Sequence, residues 1–395
     1  MEMDAATLVD KYVMNTYGRA PITFVQGQGT QLWDSQGNQY TDFLAGIAVV
    51  NLGHAHPEVT EAVCEQAARL VHVSNLYYTE PQARVAELLV ENSFADKVFF
   101  CNSGAEANEG ALKLARLWGK NKMKGAFTII TMERSFHGRT LGTLSATGQD
   151  KIQKGYDPLV PRFKHVPYGD LEAVKAVWDD NVCAVLVEPV LGEGGVVVPP
   201  DGYLPGLREL CDSHGALLMF DEVQTGLGRT GKLFAHEHFG VKPHVMTLAK
   251  ALANGLPAGA VLADVEAAEM FGPGSHATTF GAGPVVMAAA GVVLENLVNG
   301  GLVEHAEATG YYFKAQLEGL AAKYPKVVTQ VRGLGLLLGL ALNMAAGPLV
   351  VRLREMGYIV GAAQDTVIRF APPLVVTQGD IDGLVAALDQ ALAEI

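Results

Sequence analysis

Cysteine is scarce in this chain: Cys64, Cys101, Cys183 and Cys211 are the four among 395 residues, and no CxxC pair occurs. That spacing excludes a zinc ribbon or a disulfide framework and points to reduced thiols. Excess positive charge is also missing, the formal net charge being −13, which argues against a surface for nucleic acid or an anionic membrane. The opening MEMDAATLVDKYVM lacks the basic start and apolar core of a secretory signal, so a cytoplasmic protein is expected. Long hydrophobic runs are absent but for one stretch, the 19 uncharged residues between Arg332 and Arg352. Gly333, Gly335, Gly339, Asn343, Gly347 and Pro348 interrupt it, so it reads as a strand and a helix start, not a membrane span. His54 and His56, and likewise His236 and His238, lack a third ligand cluster; no metal is expected and they read as structural.

What the chain does contain is a globular balance, 49% hydrophobic and 18% charged, with length for two or three domains. Short apolar runs alternate with helix-like stretches: KVFF (97 to 100) before a helix to about Gly119, AFTIITM (126 to 132), VCAVLVE (182 to 188) and ALLMFDE (216 to 222). Uniformly apolar strands alternating with helices predict an α/β fold, a mostly parallel, doubly wound sheet covered on both faces. Toward the C-terminus one long helical stretch (285 to 323) leads into VVTQVRGLGLLLGLAL and YIVGAAQDTVIRFAPPL. This reads as a smaller α+β domain, completed by N-terminal residues.

In such sheets ligands sit beyond the carboxyl ends of the strands. After KVFF, Ser103 and Glu106 have capping-box spacing, and small Gly104 and Ala105 allow an anion close to the helix start. After AFTIITM, Phe136 is suited to cover a planar ring and Arg139 to fork a carboxylate. After VCAVLVE, Glu193 lies among glycines. ALLMFDE ends on two acids, and a buried carboxylate needs a positive partner. Lys250, 29 residues beyond Asp221, follows an apolar run, the setting in which a lysine of lowered pKa does Schiff-base chemistry. Each piece alone has a bland reading: a capped helix, a packed phenylalanine, a surface turn, a lysine reaching solvent. Together they are the parts that hold pyridoxal phosphate, with its protonated ring nitrogen as the partner of Asp221. Glu222 reads as a structural hydrogen-bonder. GLGLLLG (333 to 339) is a weak match to a dinucleotide loop and has no ribose-binding acid after it.

NSGAEANEGALKLAR, FHGRTLGTLSATG, VEPVLGEGGV, DEVQTGLGRTG, TLAKAL and HATTFGAGP occur in this order. By that set the chain resembles the class III, fold type I pyridoxal-phosphate aminotransferases along nearly its whole length. The resemblance implies Lys250 as the amine bonded to the cofactor and Asp221 as the acid at the ring nitrogen. It places Phe136 and Val223 on the two ring faces, Gln224 near the phenolic oxygen, and Ser103, Gly104 and Ala105 at the phosphate. Thr279 would reach the phosphate from the partner of a homodimer with active sites at its interface. It implies residues 1–57 as an N-terminal part of the small domain, 58–284 as the large cofactor-binding domain, and 285–395 as the C-terminal small domain with its linking helix.

For substrates the resemblance implies transfer between N2-acetylornithine and 2-oxoglutarate, giving N-acetylglutamate 5-semialdehyde and glutamate, a ping-pong step of arginine biosynthesis. Arg369 would take the α-carboxylate of glutamate and Arg139 the distal one, a match of guanidinium to carboxylate. Acetylornithine leaves Arg369 nothing to bind, so Glu193 would neutralise it. Arg139 would then hold the α-carboxylate, with Thr278 nearby and Tyr17 also at the substrate. Ornithine, succinylornithine, 4-aminobutyrate and lysine-pathway amines are the rival substrates; ornithine enzymes often carry a tyrosine where this chain has Ile47. A semialdehyde aminomutase, which usually has methionine where Gln224 stands, and a non-catalytic cofactor-binding protein are the remoter readings.

Overall fold

The computed structural model describes residues 4–395; Met1, Glu2 and Met3, the first residues of the N-terminal segment read above, lie outside the described residues. Among the described residues fifteen strands form three sheets. In chain order β1 (Phe24–Gln28), β2 (Gln31–Asp34) and β3 (Gln39–Asp42) come first. Then follow β4 (Lys97–Cys101), β5 (Thr128–Met132), β6 (Phe163–Val166), β7 (Val182–Val187), β8 (Leu217–Asp221), β9 (Val245–Leu248) and β10 (Gly259–Ala263). Last are β11 (Val328–Leu334), β12 (Leu337–Leu342), β13 (Tyr358–Ile359), β14 (Gly361–Ala363) and β15 (Val367–Phe370).

The seven-stranded sheet has the order β4-β10-β9-β8-β7-β5-β6. It is fold type I: parallel from β9 through β6, with β10 antiparallel to both its neighbours. Strands β5, β7, β8, β9 and β10 are buried at every residue, as a sheet covered on both faces requires. Two hydrophobic clusters cover those faces, one around the Gly104–Lys122 helix and one around the Tyr203–His214 helix. Four of the apolar runs singled out in the sequence are β4, β5, β7 and β8. The short β6 was not legible because FKHV mixes charge with apolar residues, its partly buried pattern marking an edge strand.

The long helical stretch expected over 285–323 is corrected to two helices, Pro284–Val298 and Leu302–Lys323, bent by 64°. Asn299, Gly300 and Gly301 supply the break. Gly301 sits at φ +72°, a left-handed conformation that glycine adopts without penalty. No single helix among the described residues is long and apolar enough to cross a membrane. The uncharged stretch after Arg332 contains β12 and the start of the Gly347–Glu355 helix, as its glycines predicted. GLGLLLG lies in the β11–β12 hairpin, not at a strand-to-helix turn.

The third sheet runs β11-β12-β15-β14, and β13 adds to the N-terminal sheet by pairing in parallel with β3. Chain ends are thus joined by backbone hydrogen bonds. One face of β12 and β15 enters the main core through Leu338, Leu340, Ile368 and Phe370. Alternation along a strand then turns Gly339 and Arg369 toward the opposite face.

Candidate active site

A cavity of about 410 Å³ opens beyond the carboxyl ends of β4, β7, β8 and β9, within the size range of small-molecule sites. Its floor comes from strand ends. Asp221 ends β8 with its side chain 3% exposed. Asn108 Nδ2 donates to Asp221 Oδ2 at 2.7 Å, His137 Nδ1 lies 2.8 Å from the same oxygen, and the Val223 N–H donates to Oδ1 at 3.0 Å. Thr247 in turn donates to Asn108 Oδ1 at 2.7 Å, so β9 braces the acid from below. Glu222 points elsewhere and is saturated: the Ala235 and His236 N–H groups donate to it at 2.6 and 2.9 Å, with His236 Nδ1 at 2.9 Å. It is a structural acceptor, and His236 is its structural partner. His54 similarly pairs with Asp42 at 2.8 Å, and His238 meets the Thr230 carbonyl at 2.9 Å.

Lys250 follows β9 and lines the cavity. Its backbone is left-handed at φ +45°, a conformation that costs a non-glycine residue about 1–3 kcal/mol and recurs at functional sites. Burial pushes the Lys250 amine below the usual lysine value; Glu193, Asp221 and Glu188 oppose that shift and Arg369 adds to it. The amine thus sits in a pocket that favours its neutral, nucleophilic form.

The Gly104–Lys122 helix aims its N-terminus into the cavity. Ser103 Oγ takes the Glu106 N–H at 3.2 Å and the Ser103 carbonyl takes that of Ala107 at 3.0 Å. The Gly104 and Ala105 N–H groups precede any intrahelical acceptor. The capping box is shifted by one residue, because the Glu106 carboxylate accepts from the Asn102 N–H at 2.8 Å. Gly104 is required here: a Cβ would come within 2.8 Å of Val223 Cγ1. Phe136 and Val223 both line the cavity, and the Arg139 guanidinium lies over the Phe136 ring at 5.5 Å from its centroid.

Behind Gln224, which lines the cavity, stands β15. Arg369, 2% exposed, forms an ion pair with Glu193 through Nη1, and the same nitrogen donates to Gln224 Oε1 at 3.0 Å. Gln224 Nε2 donates to Glu193 Oε1 at 3.3 Å, closing a three-residue cluster. Burial alone would raise the Glu193 carboxyl, but the Arg369 charge and its hydrogen bond hold it below the usual carboxylate range.

Five sequence-selected residues do not line this cavity within the chain: Glu193 and Arg369 stand behind Gln224, and three lie farther off. Tyr17 is 70% exposed near the N-terminus, and Thr278 and Thr279 line a second cavity with Ser74 and Asn75. Asn102 links the two, donating to Thr278 Oγ1 at 3.0 Å. The sequence reading missed His137, Asn108 and Glu188. Glu188 ends the β7 run as Asp221 ends β8, so the same strand-end rule would have found it. It accepts from the Phe136 and Gly192 N–H groups at 2.9 Å each, and burial pushes it up to about 7, with Asp221 adding to the shift and His137 opposing it.

The cavity therefore gathers an amine of lowered pKa, a buried carboxylate and a helix N-terminus. These complement an aldehyde, a protonated ring nitrogen and a phosphate, so the residues present fit pyridoxal phosphate. Comparison with known proteins gives the same direction. Residues 12–392 match the family model for aminotransferase class III. The chain is 48% identical over 391 residues to an acetylornithine aminotransferase of Caldanaerobacter subterraneus subsp. tengcongensis, covering 98% of this chain and 99% of that protein. It is 47% identical to the acetylornithine aminotransferase of Methanocaldococcus jannaschii, with 98% of each covered. Among solved structures, an ornithine aminotransferase from Toxoplasma gondii with partial occupancy of PLP at its active site superposes with a TM-score of 0.94 at 34% identity, covering 99% of this chain and 93% of that one.

Proposed function

The chain belongs to the class-III aminotransferases, a pyridoxal-phosphate-dependent family, and we propose that within it the amine transferred is the terminal amine of N2-acetylornithine, with 2-oxoglutarate as acceptor. The observation that carries this reading is Arg369, a buried cation whose neutralising partner, Glu193, sits on a glycine-rich turn; both bond to Gln224, which lines the cavity with Lys250, and both act on the charge of Lys250. A site that alternates between a dicarboxylate and an amine lacking a second acid at that end needs such a removable counter-charge.

When bound, pyridoxal phosphate supplies an aldehyde that bonds amines and a ring that accepts electrons as a carbon–hydrogen bond breaks. The chain does the rest. The Gly104 and Ala105 N–H groups and the Ser103 hydroxyl would hold the phosphate at the helix N-terminus. Phe136 and Val223 would confine the ring, and Gln224 would serve its phenolic oxygen. Asp221 would hold a proton on the ring nitrogen, its own position being fixed by His137 and Asn108. Lys250 Nζ removes the proton from the amine-bearing carbon of the substrate and later returns one. Glutamate places its α-carboxylate on Arg369 and its distal carboxylate on Arg139. Acetylornithine presents its α-carboxylate to Arg139, and Glu193 returns to Arg369.

Thr278, Thr279 and Tyr17 act, in this reading, at the site of the other subunit of a homodimer. Their absence from the lining of this chain's own cavity supports that assignment, as does the exposed apolar set Leu76, Tyr78 and Phe280 around the Thr278–Thr279 segment. The β3–β13 pairing supports grouping residues 1–57 with 285–395 around the large domain 58–284. Widely spaced, unpaired cysteines support a cytoplasmic site of action. The discriminating experiment is a panel of acetylornithine, ornithine, succinylornithine and 4-aminobutyrate ranked by kcat/KM with 2-oxoglutarate. Acetylornithine is expected first; any other amine ahead of it overturns the substrate assignment.

A further inference from the structure

Arg369 is not the only guanidinium beneath the Glu193 turn. In the third sheet Arg332 pairs with Gly339, and Gly339 pairs with Arg369. Directly opposed residues of antiparallel strands project from the same face, with Cα atoms about 4.5–5.5 Å apart per pair. Arg332 and Arg369 therefore rise from one row, on one face, separated by a single strand. The residue between them is glycine, and the space it leaves is filled by the turn: a Cβ on Gly339 would stand 3.0 Å from Val196 Cβ. The backbone that carries Glu193 lies across this row, with a Cβ on Gly195 falling 3.7 Å from Arg332 Nη2.

The two arginines differ in what meets them. Arg369 has Glu193 and Gln224. Among the described residues no carboxylate lies within the 4.0 Å salt-bridge distance of Arg332, and its guanidinium makes no hydrogen bond; its Nε is buried without a partner. Arg134, nearby, only adds positive charge. A half-buried cation facing a movable acid, with no acid of its own, is an unfilled electrostatic site.

That asymmetry bears on the exchange at Arg369. When a dicarboxylate takes Arg369, as the reading above requires, the Glu193 carboxylate, only partly exposed, loses its partner, and an unpaired charge in a partly buried place is costly. The Gln364 side chain pins the Glu193 carbonyl at 3.1 Å, while Gly194 and Gly195 follow directly, Gly195 at φ +102°. The side chain can thus turn about a fixed point. We propose that Arg332 is the second seat of the Glu193 carboxylate, so that Glu193 moves between two guanidiniums of one sheet row as the two substrates alternate. Arg332 is then a positioning residue: it touches neither substrate nor cofactor and favours dicarboxylate binding by receiving the displaced acid.

The test is a double-mutant cycle on the holoenzyme, with glutarate as an unreactive dicarboxylate and its Kd read by calorimetry. Arg332→Gln is expected to weaken glutarate roughly tenfold in the wild-type background, the scale of a partly buried charge pair. In the Glu193→Gln background, where there is no carboxylate to receive, the same substitution is expected to leave the Kd unchanged. An equal loss in both backgrounds marks Arg332 as merely structural and overturns the proposal, as does no loss in the wild-type background. Should Arg332→Gln fail to fold, a crystal structure of the unaltered holoenzyme with glutarate decides: Glu193 within 4 Å of the Arg332 guanidinium supports the second seat, and Glu193 at Arg369 or turned to solvent overturns it. The amine panel tests the parent assignment separately, since substrate ranking and this coupling can each fail alone.

Discussion

Asp221 at the floor of the cavity and Glu222, which points away from it, are met by donors that belong to the frame: an asparagine and a histidine for one, backbone N–H groups and a histidine for the other. Behind Gln224, Arg369 is met by Glu193, a side chain on a turn built with glycines. Arg229 sharpens the contrast. It is 0% exposed, yet its guanidinium is held by the Leu336 and Pro372 carbonyls and by Asn51 Oδ1, none of which carries charge or moves independently. Burial pushes Arg229 down to about 9, against a weak opposing pull from Asp42. Asp221 and Arg229 are met by partners of the frame, whereas Arg369 is met by an acid on a glycine turn, to which the proposed exchange gives a second place at Arg332. On that proposal a buried charge reports function through whether its partner is exchangeable, not through burial itself.

The largest way to break this comparison is at the floor. Lys250→Ala removes the amine that moves the proton, and turnover is expected to fall by about 10⁴-fold or more, the upper range for a positioned acid–base group. Glutamate-dependent release of 2-oxoglutarate measures it, and activity within tenfold of wild type would remove Lys250 from its role. A fixed charge should instead show itself in stability. Arg229→Met leaves two carbonyls and an asparagine oxygen without a donor, and a loss of about 3 kcal/mol or more is expected from unmet buried acceptors. Urea unfolding reads it; a change below about 1 kcal/mol would mean those acceptors find other donors.

The smallest effect is a pH slope at Glu188. Its folded-state pKa is raised from 4.5 to about 7, with burial as the leading cause. Between those values the unfolded chain releases a proton that the folded chain retains, so stability falls as pH rises through the window. The contribution is fully present below pH 4.5 and lost above about 7. Glu188→Gln should flatten the urea midpoint over that range; an unchanged slope would assign it to another group.

Much of the floor was legible because strand-end chemistry is local. Asp221 and Lys250 each close an apolar run, and Ser103 to Ala105 follow one directly, so a rule about strand ends finds them without knowing the fold. Glu188 obeys the same rule and was passed over because Glu193, five residues on, drew the reading toward the loop. His137 was visible as a residue type, but its ring aims at Asp221 across 84 positions of chain, a relation that periodicity does not carry. The missed break at residues 299–301 is of another kind. Apolar spacing continues on both sides of the Gly300–Gly301 pair, so the helix pattern conceals a turn that the backbone takes.

By itself the chain of residues determined the alternation of buried strands and helices, the acid and amine at strand ends, and the anion-ready helix start, because each depends on neighbours within a few positions. Only the tertiary structure decided which cations share a row, which turn crosses that row, and that Gly339 leaves room for the turn above. Those relations arise from register between strands distant in sequence, where a shift of one residue would turn both arginines to the other face of the sheet.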